Sequence, residues 1–391
     1  TSAMFAQELG ARRYKGVRRT FRQGLWVIAT MSVPMLTLLL WSEEILLTMG
    51  QDPVVVQGSA DYLSAAMWGM PFMVAFGLLR NFIAAHSRPK PALYILMVGL
   101  VINAIADYVL IFGSFGAPRL ELFGLGIATT IVQITMFFIL LVFVLRDRRY
   151  KRYMLLARFF KPDWPRYREV WVLGAPIAGA KVAESGLFAA SSFMIGLIGV
   201  NQLAGHSVAI QFVAIAFMIP FGVAQAATVR VGINIGRGNP AAAKLAGRVS
   251  MGLGVLVMLP SALLYMAMGE ELAGLFFDLN DPDSAQAVSF AVSFLAIGAL
   301  FQLADGGQAV AAGALRGIKD TRVPMAIALV GYWGFGIGSA VLLAFPLDLG
   351  GRGVWMGLAI GLAVVWVALV VRFERLTYVR LPHASSNPSA N

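Results

Sequence analysis

Cysteine is absent from all 391 residues, which excludes a disulfide framework and a thiolate metal site and leaves the redox compartment unread. Charge is scarce at 13% of residues, against 59% hydrophobic and a mean hydropathy of +0.75, so this is not a soluble globule. No G-x-x-x-x-G-K-[ST] loop is present, so ATP is not expected to drive anything here. No H-E-x-x-H or other metal-ligand spacing occurs, and the three histidines, His86, His206 and His383, are scattered. His86 and His206 fall at the ends of apolar runs, where an interfacial role is the simplest expectation. No cofactor is expected.

What is present is a series of long apolar runs. They lie near 24–48, 59–85, 92–113, 123–145, 169–198, 206–229, 247–268, 285–315, 323–346 and 352–371. Each is close to or above the roughly 20 residues that a membrane-spanning helix needs. The fold class is therefore an all-α polytopic membrane protein. The net charge of +11 suggests nucleic acid only until its location is considered. Of the 31 Lys and Arg residues, 26 lie in 10–23, 86–91, 146–168, 237–248, 316–322 or after 371. The loop carrying Glu270, Glu271, Asp278, Asp281 and Asp283 has no base at all. Such alternation is the positive-inside pattern and puts the basic loops and the C-terminus in the cytoplasm, with no nucleic-acid partner.

The chain resembles itself. Gln7 to Arg12 matches Asn234 to Asn239, Ala84 to Pro91 matches Ala314 to Pro324, and Gly124 to Ala128 matches Gly351 to Trp355. Similar offsets imply parallel copies of one topology. The expected organisation is an N-terminal lobe over 1–145, a basic linker over 146–168, a C-terminal lobe over 169–381 and a disordered tail over 382–391. Thr1 to Leu9 reads as the end of a helix, and equal copies would place roughly sixty further residues ahead of it. On that reading two pseudo-symmetric six-helix lobes make twelve spans, of which ten and a stub are here.

Four ionisable residues lie deep within the apolar runs: Asp107, Lys181, Glu184 and Asp305. A charge at the bilayer centre costs about 2.5–3.5 kcal/mol on insertion scales, so it persists where it pairs, lines a wet cavity or does work. Asp305 sits beside Gln302 and Gln308, which suggests a polar cavity wall; the alternative is an acid satisfied by helix-to-helix hydrogen bonds. Lys181 stands three residues before Glu184 on the same helical face, either as a simple internal ion pair or beside a carboxylate that binds a cation during transport. In the latter case the Lys competes with that cation. Asp107 follows Asn103 by one turn, and Asn81 and Thr129 add oxygen groups from neighbouring spans, together enough for a proton or hard-cation site. Gly353, Gly357 and Gly361 have the small-xxx-small spacing of close helix packing. An intramembrane enzyme would need a clustered acid/base or metal constellation, and none is visible.

Several stretches together resemble the MATE (multidrug and toxic compound extrusion) transporters, nearest the NorM-type bacterial branch. They are Ala6 to Ala11, Asn103 to Gly113, Glu184 to Phe188, Ala204 to Gln211, Pro220 to Gly232 and Ala311 to Asp320. They cover nearly the whole chain in order. The resemblance implies two lobes around a central cavity, alternating access, and organic cations leaving a bacterial inner membrane as Na⁺ or H⁺ enters. It further implies that Glu184 and Asp305 bind the coupling cation, Na⁺ included, in the second lobe, and that Asn103 and Asp107 serve the first, with Asn81 and Thr129 as neighbours. Lys181 stands where related sequences carry an apolar residue, and Phe301 where some relatives place a Tyr. Both would modulate the second-lobe site. Cationic or amphipathic drugs and dyes, held by cavity aromatics and methionines, and the bilayer are the expected partners of a monomer. A lipid-linked oligosaccharide flippase is the alternative, but its pyrophosphate calls for a cavity lined with bases, and Lys181 is the one mid-span base expected here.

Overall fold

The computed structural model describes residues 1–114 and 118–379. The tail at 382–391 and His383 lie outside the described residues. After a short helix, α1 (Ser2–Gly10), there are ten helices long and apolar enough to cross a membrane among the described residues. They are α2 (Tyr14–Leu40), α3 (Pro53–Ala85), α4 (Lys90–Phe112), α5 (Glu121–Arg146), α6 (Trp164–Ile198), α7 (Val200–Gly236), α8 (Pro240–Ala267), α9 (Ala285–Gly317), α10 (Arg322–Ala344) and α11 (Gly350–Val379). In a bilayer every backbone polar group must bond within the chain, which is why such apolar runs become helices. The protein is an all-helical, multi-pass membrane protein.

The first span begins well before the expected 24. α2 starts at Tyr14 and takes in Lys15, Arg18, Arg19 and Arg22, and two of these bases find partners in the segment before α6. Arg22 Nη1 donates to the Arg158 carbonyl at 2.7 Å, and Arg19 pairs with Asp163. The span also ends earlier, at Leu40, where Glu43 and Glu44 open a separate short helix, Ser42–Thr48. Acidic side chains suit a helix N-terminus better than its interior. The 146–168 segment likewise is not all loop, since Asp147 caps a short helix at Arg148–Lys151 and α6 already starts at Trp164.

Two compact units divide between Trp171 and Val172. In the first, α5 packs on both α3 and α4, and α3 packs on α2. Thr130 Oγ1 ties α5 to α3 by donating to the Ala65 carbonyl at 2.7 Å. His86, in the turn after α3, packs against the rings of Phe82, Tyr150 and Tyr153. Burial pushes its imidazole below the ordinary range.

In the second unit α9 is the central post, packed on α7, α8 and α11. Close approach depends on glycine: a Cβ on Gly313 would run into the backbone of Ala224. Thr228 Oγ1 uses that proximity to donate to the Gly313 carbonyl at 2.8 Å. Gly353, Gly357 and Gly361 serve the same purpose, facing the α10 backbone at Ala344, Ala340 and Gly336. His206 is not at a span end but buried in α7, with Nε2 2.9 Å from Ser192 Oγ and its ring against Trp355. α10 is irregular: Val330–Ile337 winds as a π-helix, a rare form that recurs at functional sites.

Candidate functional site

The second unit assembles a polar cluster from three helices. α6 contributes Lys181 and Glu184, whose spacing of three residues puts them on one face. Lys181 Nζ donates to both carboxylate oxygens of Glu184, at 3.0 and 2.8 Å. The Lys181 side chain is 45% exposed and that of Glu184 13%. The same ammonium lies 5.5 and 5.9 Å from the ring centroids of Phe217 and Phe221 on α7, within cation–π range.

α9 contributes Asp305, only 4% exposed. Gln308 Nε2 donates to Asp305 Oδ1 at 3.1 Å, and the Tyr332 hydroxyl donates to Gln308 Oε1 at 2.8 Å. Tyr332 is placed by the π-helical turns of α10, and the next residue, Trp333, donates its indole N–H to the Ala183 carbonyl of α6 at 3.3 Å. That bond holds α10 against the helix bearing Lys181 and Glu184.

A cavity with about 60 Å³ of water-accessible space lies among these groups, walled by Lys181, Glu184, Phe221, Gln308, Arg316 and Tyr332 among others. It is far below the roughly 300–1,000 Å³ of a drug pocket. Its size fits water, a proton carrier or a small dehydrated cation. Glu184 is on the wall, whereas Asp305 is one hydrogen bond behind it, reached through Gln308. The two carboxylates are within Coulombic reach of each other. Asp320, also on the wall, accepts from Arg372 Nε at 2.6 Å.

Phe301 is not on this wall. It is fully buried, packing edge-on to Phe188 and Trp355. Gln302 turns to α8 instead, accepting from Ser261 Oγ at 3.1 Å. The phenol beside the acids comes from Tyr332, which no spacing in the sequence indicates. Arg316 was also hidden, because it reads as part of a basic loop; α9 continues to Gly317 and keeps it on the cavity wall, so Lys181 is not the one base there. Gln308, three residues after Asp305, was the legible member.

The first unit does not bring its four candidates together. Asp107 has a buried Oδ1 without a hydrogen-bond partner. Asn103 is one turn away on α4, as the spacing requires. Thr129 Oγ1 donates to the Leu125 carbonyl of its own helix at 3.0 Å. Asn81 is separated from Asp107 by topology: it lies close to the α3–α4 turn, whereas Asp107 is near the far end of α4. At 1.5 Å rise per residue the two levels differ by about 20 Å. Asn81 Nδ2 donates to Thr1 Oγ1 at 3.2 Å instead. Among the described residues no three His, Asp or Glu side chains converge as a metal-ligand set.

Comparison with known proteins places this arrangement. The MatE family profile matches residues 1–109 and 176–342. The probable multidrug resistance protein NorM of Brucella suis is 42% identical over 389 residues, covering 99% of this chain and 82% of that protein. The protein of the same name from Mesorhizobium japonicum is 42% identical over 386 residues, covering 98% and 83%. A eukaryotic MATE transporter superposes with a TM-score of 0.82 at 21% identity, covering 97% of this chain and 84% of that one. An outward-facing multidrug resistance MATE transporter of the MOP superfamily gives 0.87 at 17% identity, covering 97% and 83%. At these identities the likeness to solved structures is one of fold.

Proposed function

Because the chain belongs to the MatE family of membrane transporters, and is no enzyme, we propose that it is a multidrug efflux antiporter that exports organic cations from a bacterial inner membrane in exchange for Na⁺ or H⁺. The basic loops then face the cytoplasm. The observation that carries the reading is the pair of acids Glu184 and Asp305, the first on the wall of a cavity sized for a small cation and the second one hydrogen bond behind it. Glu184 presents its carboxylate to that cavity. Gln308 and Tyr332 hold Asp305 in one orientation and extend its reach to the wall. A cation that binds one state of the transporter better than another shifts the population between them, and antiport follows when cargo prefers the opposite state. The cavity is too small for drugs, so cargo and coupling cation occupy different places.

Asp107 with Asn103 is the corresponding proposal in the first unit. Its unpartnered buried oxygen supports it; Asn81 falls out on distance, and Thr129 would first have to release its backbone bond.

The test is dye efflux from proteoliposomes under separately imposed Na⁺ and pH gradients. Efflux driven by one gradient and abolished by its collapse is the expected result. Efflux unaffected by both gradients would overturn cation coupling.

A further inference from the structure

The turn that joins α1 to α2 carries an open cavity of about 450 Å³ whose wall is basic. Arg12, Arg13, Lys15 and Arg19 come from the turn and the start of α2, Arg166 comes from the first turn of α6, and the one acid is Glu8. All belong to the first unit. None of them lines the cavity beside Glu184.

Two of the five bases are fixed by acids. Arg166 donates to Glu169 Oε2 at 2.8 Å and also to Glu8, and the Arg166 and Glu8 side chains are only 11% and 12% exposed. Arg19 is likewise joined to Asp163. Glu8 can lie there because residue 16 is glycine: a Cβ on Gly16 would stand 2.0 Å from Glu8 Oε2. The turn is held by the Arg12 N–H on the Leu9 carbonyl at 3.0 Å and the Arg13 N–H on the Glu8 carbonyl at 2.8 Å. Arg12 takes a left-handed backbone there, with φ at 56°, a conformation uncommon outside glycine that concentrates at functional sites. Arg12, Arg13 and Lys15 differ from the other two bases. They are exposed and make no salt bridge among the described residues.

Charge and level select the occupant. The five bases stand against Glu8, Asp163 and Glu169, an excess of two positive charges. A zwitterionic headgroup gains little, because Glu8, the one wall carboxylate that could receive its ammonium, is already on Arg166. The cavity lies where α2 begins, at the end of a membrane span and so at the headgroup level of a bilayer. Trp164, two residues before Arg166, is largely exposed, as is Phe160, and aromatics at a span end suit the boundary between headgroup and acyl chain. Lys and Arg clustered beside a span attract anionic lipid. We propose that this cavity seats the phosphate of an anionic phospholipid, with Arg12, Arg13 and Lys15 around the phosphate oxygens. In the orientation given above, that lipid belongs to the cytoplasmic leaflet. Lipid binding needs the membrane placement but neither cargo nor coupling, so it and the antiport fail separately.

The probe is dioctanoyl phosphatidylglycerol, titrated calorimetrically into the full chain in a neutral detergent, with dioctanoyl phosphatidylcholine and inorganic phosphate for comparison. Saturable phosphatidylglycerol binding is expected, with both comparison ligands at least about tenfold weaker. Arg12→Gln/Arg13→Gln/Lys15→Gln should weaken it about tenfold, since each base near the surface adds to the attraction for anionic lipid. Arg146→Gln/Arg148→Gln/Arg149→Gln removes as much charge from exposed bases outside the cavity and should leave the affinity unchanged. A second measurement needs no variant. Raising NaCl from about 0.1 to about 1 M shortens the Debye length from about 10 to about 3 Å and should weaken wild-type binding about tenfold. Equal loss in the two triple variants would overturn the proposal by showing a general response to basic charge. Inorganic phosphate binding as tightly as phosphatidylglycerol would overturn it by showing a soluble ligand. No saturable binding, equal affinity for phosphatidylcholine, or indifference to salt would overturn it as well.

Discussion

Replacing Lys181 by methionine should raise the affinity of the second-unit cavity for Na⁺. The ammonium now sits on both oxygens of Glu184, where an incoming cation would have to sit. Methionine keeps an unbranched apolar stem against Phe217 and Phe221 and removes the charge. A hydrogen bond to a charged group contributes about 1.5–3 kcal/mol, and an exposed ion pair about 0.2–1 kcal/mol. Lys181 is 45% exposed and Glu184 only 13%, so the pair falls between these limits, at about 1.4 kcal/mol. That is a factor of about ten in affinity. The assay is thermal unfolding of the purified chain across a Na⁺ series at constant ionic strength, since a ligand of the folded state raises stability in proportion to ln(1 + [L]/Kd). Lys181→Met should reach its midpoint at about one tenth of the wild-type concentration, and Lys181→Met/Glu184→Gln should lose the gain. The same midpoint in wild type and Lys181→Met would refute the idea that Lys181 occupies the cation position.

Gly357→Val should lower the melting temperature by several degrees, because the added carbons meet the Ala340 backbone and overpacking costs about 1–3 kcal/mol; an unchanged melting curve would contradict the close α10–α11 packing. For the tether between α2 and the pre-α6 segment, the hydrogen bonds from Arg19 hold the Asp163 carboxyl below its usual range. A lowered folded-state value means the stabilisation is complete above the ordinary carboxylate value of about 3.9 and is lost as pH falls through the lowered one. Hydrogen exchange in 155–163 should therefore show constant protection from pH 8 to 5 after correction for intrinsic rates, with loosening below about pH 4. Arg19→Gln should loosen it throughout, and protection that disappears between pH 7 and 5 would refute the assignment.

Much of the fold was legible because a membrane span is a local property: twenty apolar residues announce themselves without reference to any partner. The Lys181–Glu184 pair was legible for a similar reason, since three residues on a helix are neighbours whatever surrounds them. What escaped depends on contacts distant in sequence. The start of α2 was missed because Arg19 and Arg22 count as loop charges until Asp163 and the Arg158 carbonyl are seen to receive them. Arg316 was missed because hydropathy ends a span at the first base, whereas the helix continues to Gly317. Tyr332 reaches Gln308 from a π-helical turn for which spacing has no rule. Asn81 shows the opposite error, an oxygen group assigned by residue type to a site that the helix rise puts out of reach.

The central claim is that the acids of the second unit couple cation entry to export. Asp305→Asn tests it most directly, because the amide keeps an oxygen for Gln308 Nε2 and nearly the same volume, while the ionisable group is gone. Dye efflux from proteoliposomes should fall at least tenfold under whichever gradient drives the wild type, with the melting temperature within a few degrees of it. Wild-type efflux from Asp305→Asn under that gradient would contradict the account.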